Sequence, residues 1–115
     1  MTDFTPDNPE PGNVPTDPAE IHFRKAWQCR RAKKLEEAVA EFEKSLSYDP
    51  NHPATHFNLG LVADQIGQGQ KAVHHAEKAR DLFLQKNDPS KQATAQRLLN
   101  KLYRKYPEHD PSRNT

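Results

Sequence analysis

The residue types in this chain that could do chemistry are six histidines, a single cysteine, and an aromatic and basic stripe near the start of its apolar-periodic region. His52 and His56 are four apart, a spacing that presents two imidazoles on one helical face, but Pro53 between them marks a helix start. His74 and His75 are adjacent and on a helix point about 100° apart. Spacing places no third ligand, so no metal site is expected, and the histidines are read as structural or merely exposed. Cys29 stands alone, which rules out an internal disulfide and a thiolate cluster and fits a reducing compartment. The chain also lacks a glycine-rich phosphate loop, a nucleophile elbow, and paired carboxylates in a setting that would raise one pKa. The reading is therefore of a protein that is not an enzyme and takes no cofactor.

Recognition chemistry is better represented. Phe23, Trp27 and Arg31 are spaced by four, which lines them down one face of a helix. An aromatic stripe flanked by guanidinium groups suits a ligand with bulky apolar side chains and acidic groups. Arg and Trp are also residue types that dominate binding interfaces, at about 2 kcal/mol or more for a hot spot. Aromatics at this spacing are equally the mark of a core face, so Trp27 has an alternative role packing against the N-terminal segment or a second copy. The acidic run Glu36, Glu37, Glu41 and Glu43 is expected to face solvent and pair with Lys33, Lys34 and Lys44.

Five helices must position these residues, and no segment reads as a strand. Asp17-Pro18 supplies an N-cap followed by proline where its missing N–H costs nothing, and the first helix runs to about residue 33. A second helix spans residues 36–48, with Ala38, Val39, Phe42, Ser45 and Leu46 on one face, and ends at Asp49-Pro50. The third runs from Pro53 to Gly67, where Gly67-Gln68-Gly69 makes a turn, and the fourth covers residues 70–86. Asp88-Pro89 repeats the cap-then-proline start, and the fifth helix carries Leu98, Leu99, Leu102 and Tyr106 before Pro107.

Charge separates the ends from the middle. Residues 19–106 hold 16 of the 17 Lys and Arg but 10 of the 16 Asp and Glu, a formal +6. Residues 1–18 carry Asp3, Asp7, Glu10, Asp17 and five prolines with no Lys or Arg, a formal −4, and are expected to be a disordered acidic tail. Residues 107–115 are read as a second, flexible tail. A basic body attracts acidic peptides, phosphates or nucleic acid, and a tethered acidic segment competes for the same surface. Such a segment is a candidate regulator of the basic face, with Phe4 as its apolar anchor. No apolar run reaches the roughly 18 residues that span a bilayer, and the N-terminus has no signal-peptide pattern, so membrane insertion is not expected and the cytoplasm is the expected location.

The helices repeat. Residues 19–52 and 53–86 correspond at an offset of 34: His22 recurs as His56, Phe23 as Phe57, Ala38 as Ala72, Val39 as Val73, and Glu43-Lys44 as Glu77-Lys78. With Ala26, Ala38, Phe42 and Asp49-Pro50-Asn51 in the first unit, and Leu59-Gly60, Gly67, Ala72 and Ala79 in the second, the chain resembles the tetratricopeptide-repeat family. His22 and His56 stand where that pattern has tryptophan, Lys25 where it has leucine, and Cys29 and Ala63 where it has tyrosine. The resemblance implies an all-α fold of antiparallel hairpins stacked as a short right-handed solenoid. Two repeats, 19–52 and 53–86, would be closed by a capping helix over 89–106 within a 19–106 domain.

In such proteins the first helices of successive units line a concave groove for peptides. Carried over by position, the groove would present Phe23, Arg24, Trp27, Arg30 and Arg31 from the first helix, and Phe57, Asn58, Leu61, Asp64 and Gln65 from the third. Asn58 matches an asparagine that clamps a partner's terminal carboxylate in chaperone-binding members. The companion Lys and Asn would fall at Phe23 and Trp27, so that clamp is not expected. The implied function is an interaction adaptor or assembly, chaperone-like factor that takes an acidic and apolar peptide segment. Self-association as a homodimer through the Leu82-Phe83-Leu84 edge or the last helix is the alternative. Weak nucleic-acid binding by a basic helical face that includes Arg104-Lys105 is the third reading, held back by the modest pI and the lack of a basic-aromatic motif.

Overall fold

The computed structural model describes residues 16–114, and among them every regular element is helical. The elements are α1 (Pro18–Arg31), α2 (Leu35–Tyr48), α3 (Pro53–Gln65), α4 (Gly69–Gln85) and α5 (Pro89–Lys105). Two short 3-10 turns follow, Pro107–His109 and Pro111–Asn114. The acidic segment expected over residues 1–18 lies mostly outside the described residues, as does Phe4.

Local chemistry sets the helix ends. The Asp17 carboxylate accepts the Ala19 N–H at 3.2 Å and the Asp88 carboxylate accepts that of Lys91 at 3.1 Å, each beside a proline in the first turn. At α3 the cap is instead an imidazole: His52 Nδ1 accepts the Thr55 N–H at 3.2 Å. Three helices end in one and the same turn. Lys34 N–H donates to Cys29 O at 2.9 Å, Gln68 N–H to Ala63 O at 2.8 Å, and Asp88 N–H to Phe83 O at 3.0 Å. The residue before each donor is left-handed: Lys33 (φ 65°), Gly67 (φ 81°) and Asn87 (φ 58°). Only Gly67 meets that requirement without strain on a side chain.

Successive helices pack as antiparallel neighbours, α1 on α2, α3 on α4 and α4 on α5, with α2 and α1 also touching α3. Small residues set the closest approaches. A methyl group on Gly60 would sit 3.2 Å from the Ala72 carbonyl oxygen, and one on Gly69 would run into the Tyr106 ring. α3 is buried nearly all round because it serves two cores. Leu59 and Val62 join Phe23, Ala26, Ala38 and Phe42, while Phe57 and Ala63 join Ala72, Val73, Phe83, Leu98, Leu99 and Leu102. α5 closes the stack with Ala95, Leu98, Leu99 and Leu102 inward and Arg97, Asn100, Lys101 and Arg104 exposed.

After α5 the chain continues into the two 3-10 turns. Tyr106 O accepts the His109 N–H at 3.0 Å, and the first 3-10 turn lies against α5 and α4. The reason is tertiary, since Tyr106 is held by its ring on Gly69 and its hydroxyl on Asp64. Leu82 and Phe83, proposed from sequence as a dimer edge, are buried, Phe83 in the cluster that α5 covers, and Leu84 alone of the three is exposed.

Candidate functional site

The α1 stripe divides on folding. Phe23 is 3 % exposed, its ring 5.9 Å from Phe42 and 5.3 Å from His52, and Phe57 is 6 % exposed. Both aromatics fill interhelical space, Phe23 in the first core cluster and Phe57 in the second, so they form the floor beneath α1 and α3. Trp27 is half-buried against the first core cluster, and the Arg31 guanidinium lies 5.0 Å from its ring centroid. That geometry is a cation–π pair, worth about 0.5–1 kcal/mol at an exposed site. The Trp27 indole N–H is shielded and has no acceptor among the described residues. Arg31 is exposed, and among the described residues no carboxylate pairs with it. Arg24 and Arg30 are half-buried and engaged in interactions of their own.

On α3, Leu61 is half-buried against the second cluster and Gln65 is exposed at the helix end. Asn58 is fully buried; its amide donates to Ala54 O at 2.9 Å in the preceding turn, and its Oδ1 has no donor among the described residues. Asn58 therefore packs along its own helix instead of standing out as a clamp residue. The acidic groups of this side are already engaged. Asp64 accepts from Lys105 Nζ and Tyr106 Oη, each at 2.8 Å. Burial would raise the Asp64 pKa, but these two hydrogen bonds and the Lys105 charge outweigh it and hold the carboxyl below its usual range. Glu20 accepts from His52 Nε2 at 2.8 Å, a bond that lowers its pKa against the opposing effect of burial.

His52, read from sequence as structural or merely exposed, joins three elements. Its Nδ1 also meets Thr55 Oγ1 at 2.7 Å, and Thr55 Oγ1 lies 3.2 Å from the Ser45 hydroxyl, which donates to Ala19 O at 2.8 Å. A polar residue before Pro53 was the only signal available. His22 and His56, equivalent by repeat, each reach nineteen residues forward onto the partner helix: His22 Nδ1 to Glu41 Oε1 at 2.7 Å, and His56 Nδ1 to His75 Nδ1 at 3.1 Å. Glu36, Glu37 and Glu43 are exposed as expected, but Glu41 turns inward to His22 and also pairs with Lys44 at 3.4 Å. Among the described residues no three metal-ligating side chains converge, and no helix is long and apolar enough to cross a membrane.

An open cleft of about 690 Å³ lies away from α1, between α4, α5 and the 3-10 turns, and is lined by Arg80, Tyr103, Arg104 and Asp110 among others. There Arg80 pairs with Asp81, and the Tyr103 hydroxyl donates to Glu77. The Trp27 face, with Arg31 uncompensated, is the better candidate for recognition.

A family model described as TPR repeat matches residues 28–67, from the last turn of α1 through α2 to the turn after α3. Comparison with curated proteins and with solved structures gave no significant match. Repeats of this kind serve protein–protein interaction and are typically non-catalytic. Residues 28–67 are thus similar to a TPR repeat, and the helices on either side of them continue the same hairpin arrangement, as a stacked helical-repeat fold does.

Proposed function

We propose that this protein is a cytoplasmic adaptor or assembly factor that binds an acidic and apolar peptide segment of a partner across the face of α1 and α3. What carries the reading is the Trp27–Arg31 pair, an exposed guanidinium on a half-buried indole with no carboxylate on it among the described residues. Arg24 and Arg30 add positive charge on the same helix, Leu61 and Gln65 supply the α3 side, and Phe23, Phe57 and the buried Asn58 lie beneath it. An aromatic anchor beside arginine is the composition of an interface hot spot. The carboxylates nearby, Glu20 and Asp64, already have partners, so an incoming acidic peptide meets net positive charge.

The reading is tested by titrating fluorescent peptides, acidic and aromatic against basic ones of equal length, into wild type and Arg31→Glu. Because Arg31 is exposed, the substitution leaves both cores intact. The expected outcome is a preference for acidic peptides that falls with salt, and a loss of about tenfold or more in Arg31→Glu, or about 1.4 kcal/mol. Equal affinity of both proteins for every peptide, with equal helicity, would remove α1 from the binding surface.

A further inference from the structure

We infer that the outer face of α5, with the cleft beside it, binds a single-stranded nucleic acid: the cations of α5 follow its phosphates and the cleft receives a base. The site is separate from the Trp27 face and goes beyond the peptide-binding role proposed there. Composition is the first ground. α5 carries Lys91, Arg97, Lys101, Arg104 and Lys105 and neither Asp nor Glu, whereas α2 carries four Glu and one Lys. Arg97, Lys101 and Arg104 follow at intervals of four and three, which sets them in one exposed row. Like charges at these intervals repel and weaken a helix. The helix dipole favours cations only in the last turn, so it accounts for Arg104 but not for Arg97 or Lys101.

Pairing is the second ground. Lys91 pairs with Asp88 at 3.9 Å and Lys105 with Asp64 at 2.8 Å. Among the described residues Arg97 donates to the uncharged Thr94 Oγ1 at 3.1 Å, and Lys101 and Arg104 have no hydrogen bond or ion pair. Asp64, whose charge Lys101 feels, is already taken by Lys105 and Tyr106. The third ground is the cleft of about 690 Å³, which adjoins the row at Asn100 and Arg104 and also holds Arg80 and Tyr103. Asn100 Oδ1 accepts from Gln96 Nε2 at 3.0 Å, which leaves the Asn100 amide N–H groups as donors for a base edge. Tyr103 supplies an aromatic ring whose hydroxyl is held by Glu77. The carboxylate of the cleft, Asp110, is engaged by Ser112, whose N–H and Oγ–H donate to it at 3.0 and 2.9 Å. Cations that track a backbone beside an aromatic ring are the means by which single strands are held. Spacing selects the ligand. From Arg97 to Arg104 the helix rises roughly 10 Å at 1.5 Å per residue, and three nucleotides of one stacked strand rise roughly 10 Å at 3.4 Å each. A flexible acidic peptide has no comparable fixed period of charge.

The test is fluorescence anisotropy of a labelled oligouridylate of about twelve nucleotides, titrated with the full chain at several salt concentrations. Three phosphates neutralised by the row give an expected slope of about −2 for log K against log salt. Each of Arg97→Gln, Lys101→Gln and Arg104→Gln is expected to reduce that slope by about 0.7. The triple variant is expected to lose about tenfold or more in affinity at low salt, with unchanged helicity, because all three side chains are exposed. No binding by wild type, or a triple variant that keeps the wild-type slope, overturns the inference. So does equal affinity for an oligoglutamate of the same charge, since the row would then serve an acidic protein. Arg31→Glu, which tests the peptide face, is expected to leave the oligonucleotide slope unchanged, so the two sites stand or fail separately.

Discussion

His22 and His56 hold the same place in two successive repeats, yet they meet different partners. His22 is half-buried on Glu41 and stacks on Tyr48, with ring centroids 5.7 Å apart. His56 is buried; its Nε2–H donates to Pro50 O at 2.8 Å, which leaves Nδ1 to accept from His75. Burial lowers the pKa of both members of the pair, His75 to about 4, assisted by the neighbouring charges of His74, Lys71 and Lys78. An unfolded histidine binds its proton near pH 6.5, so between that value and about 4 the unfolded chain holds more protons than the folded one. Stability is therefore expected to fall as pH drops through this window. Thermal melts of wild type and His75→Gln check this, the variant having the flatter dependence; parallel curves would place the acid sensitivity elsewhere. Carboxyls held below their usual range by their partners, Glu20, Glu41 and Asp64, lose their contribution at still lower pH, as each is protonated in the folded state.

At the scale of the element, one turn geometry is used three times with three different residues, which makes its conformational cost measurable. Lys33 and Asn87 occupy left-handed backbone that glycine occupies freely at Gly67. A side chain there costs about 1 kcal/mol, less for asparagine than for lysine. Lys33→Gly is expected to stabilise by about 1 kcal/mol, and Gly67→Ala to destabilise by about as much, both read by urea denaturation. Nothing lies within 4 Å of a methyl placed at Gly67, so the cost there is backbone strain alone. A stabilised Gly67→Ala would show that the turn is not held in this conformation. The approach of α3 to α4 at Gly60 is a different matter, one of space and not of φ.

For the whole molecule, the main question is whether two cores make one cooperative unit. α3 contributes buried side chains to both, so neither cluster keeps its lid when the other opens. Trp27 reports on the first cluster, and Leu102 belongs to the second. Leu102→Ala is expected to cost about 2–5 kcal/mol and to lower the Trp27 fluorescence midpoint and the circular dichroism midpoint together. Separation of the two midpoints, with the fluorescence transition unmoved, would mean that the hairpins unfold independently, as weakly coupled repeats do.

The sequence by itself determined the 34-residue offset, which is a property of the residues in order, and the all-helical class with helix boundaries to within a residue or two, because helix starts and stops are decided within about four residues of chain. Pro18, Pro53 and Pro89 with the residues before them, and Gly67 after α3, carry that information locally. Which aromatics of the stripe stay accessible was not legible, since a spacing of four suits a core face and a binding face equally. Only the docking of α2 and α3 buried Phe23 while leaving Arg31 outside and Trp27 half-covered. The same holds for His56 on His75, for His52 joining Glu20 to Thr55, and for Asp64 on Lys105 and Tyr106. Local signals end where a side chain's partner comes from another helix, and there tertiary packing decides what each residue touches.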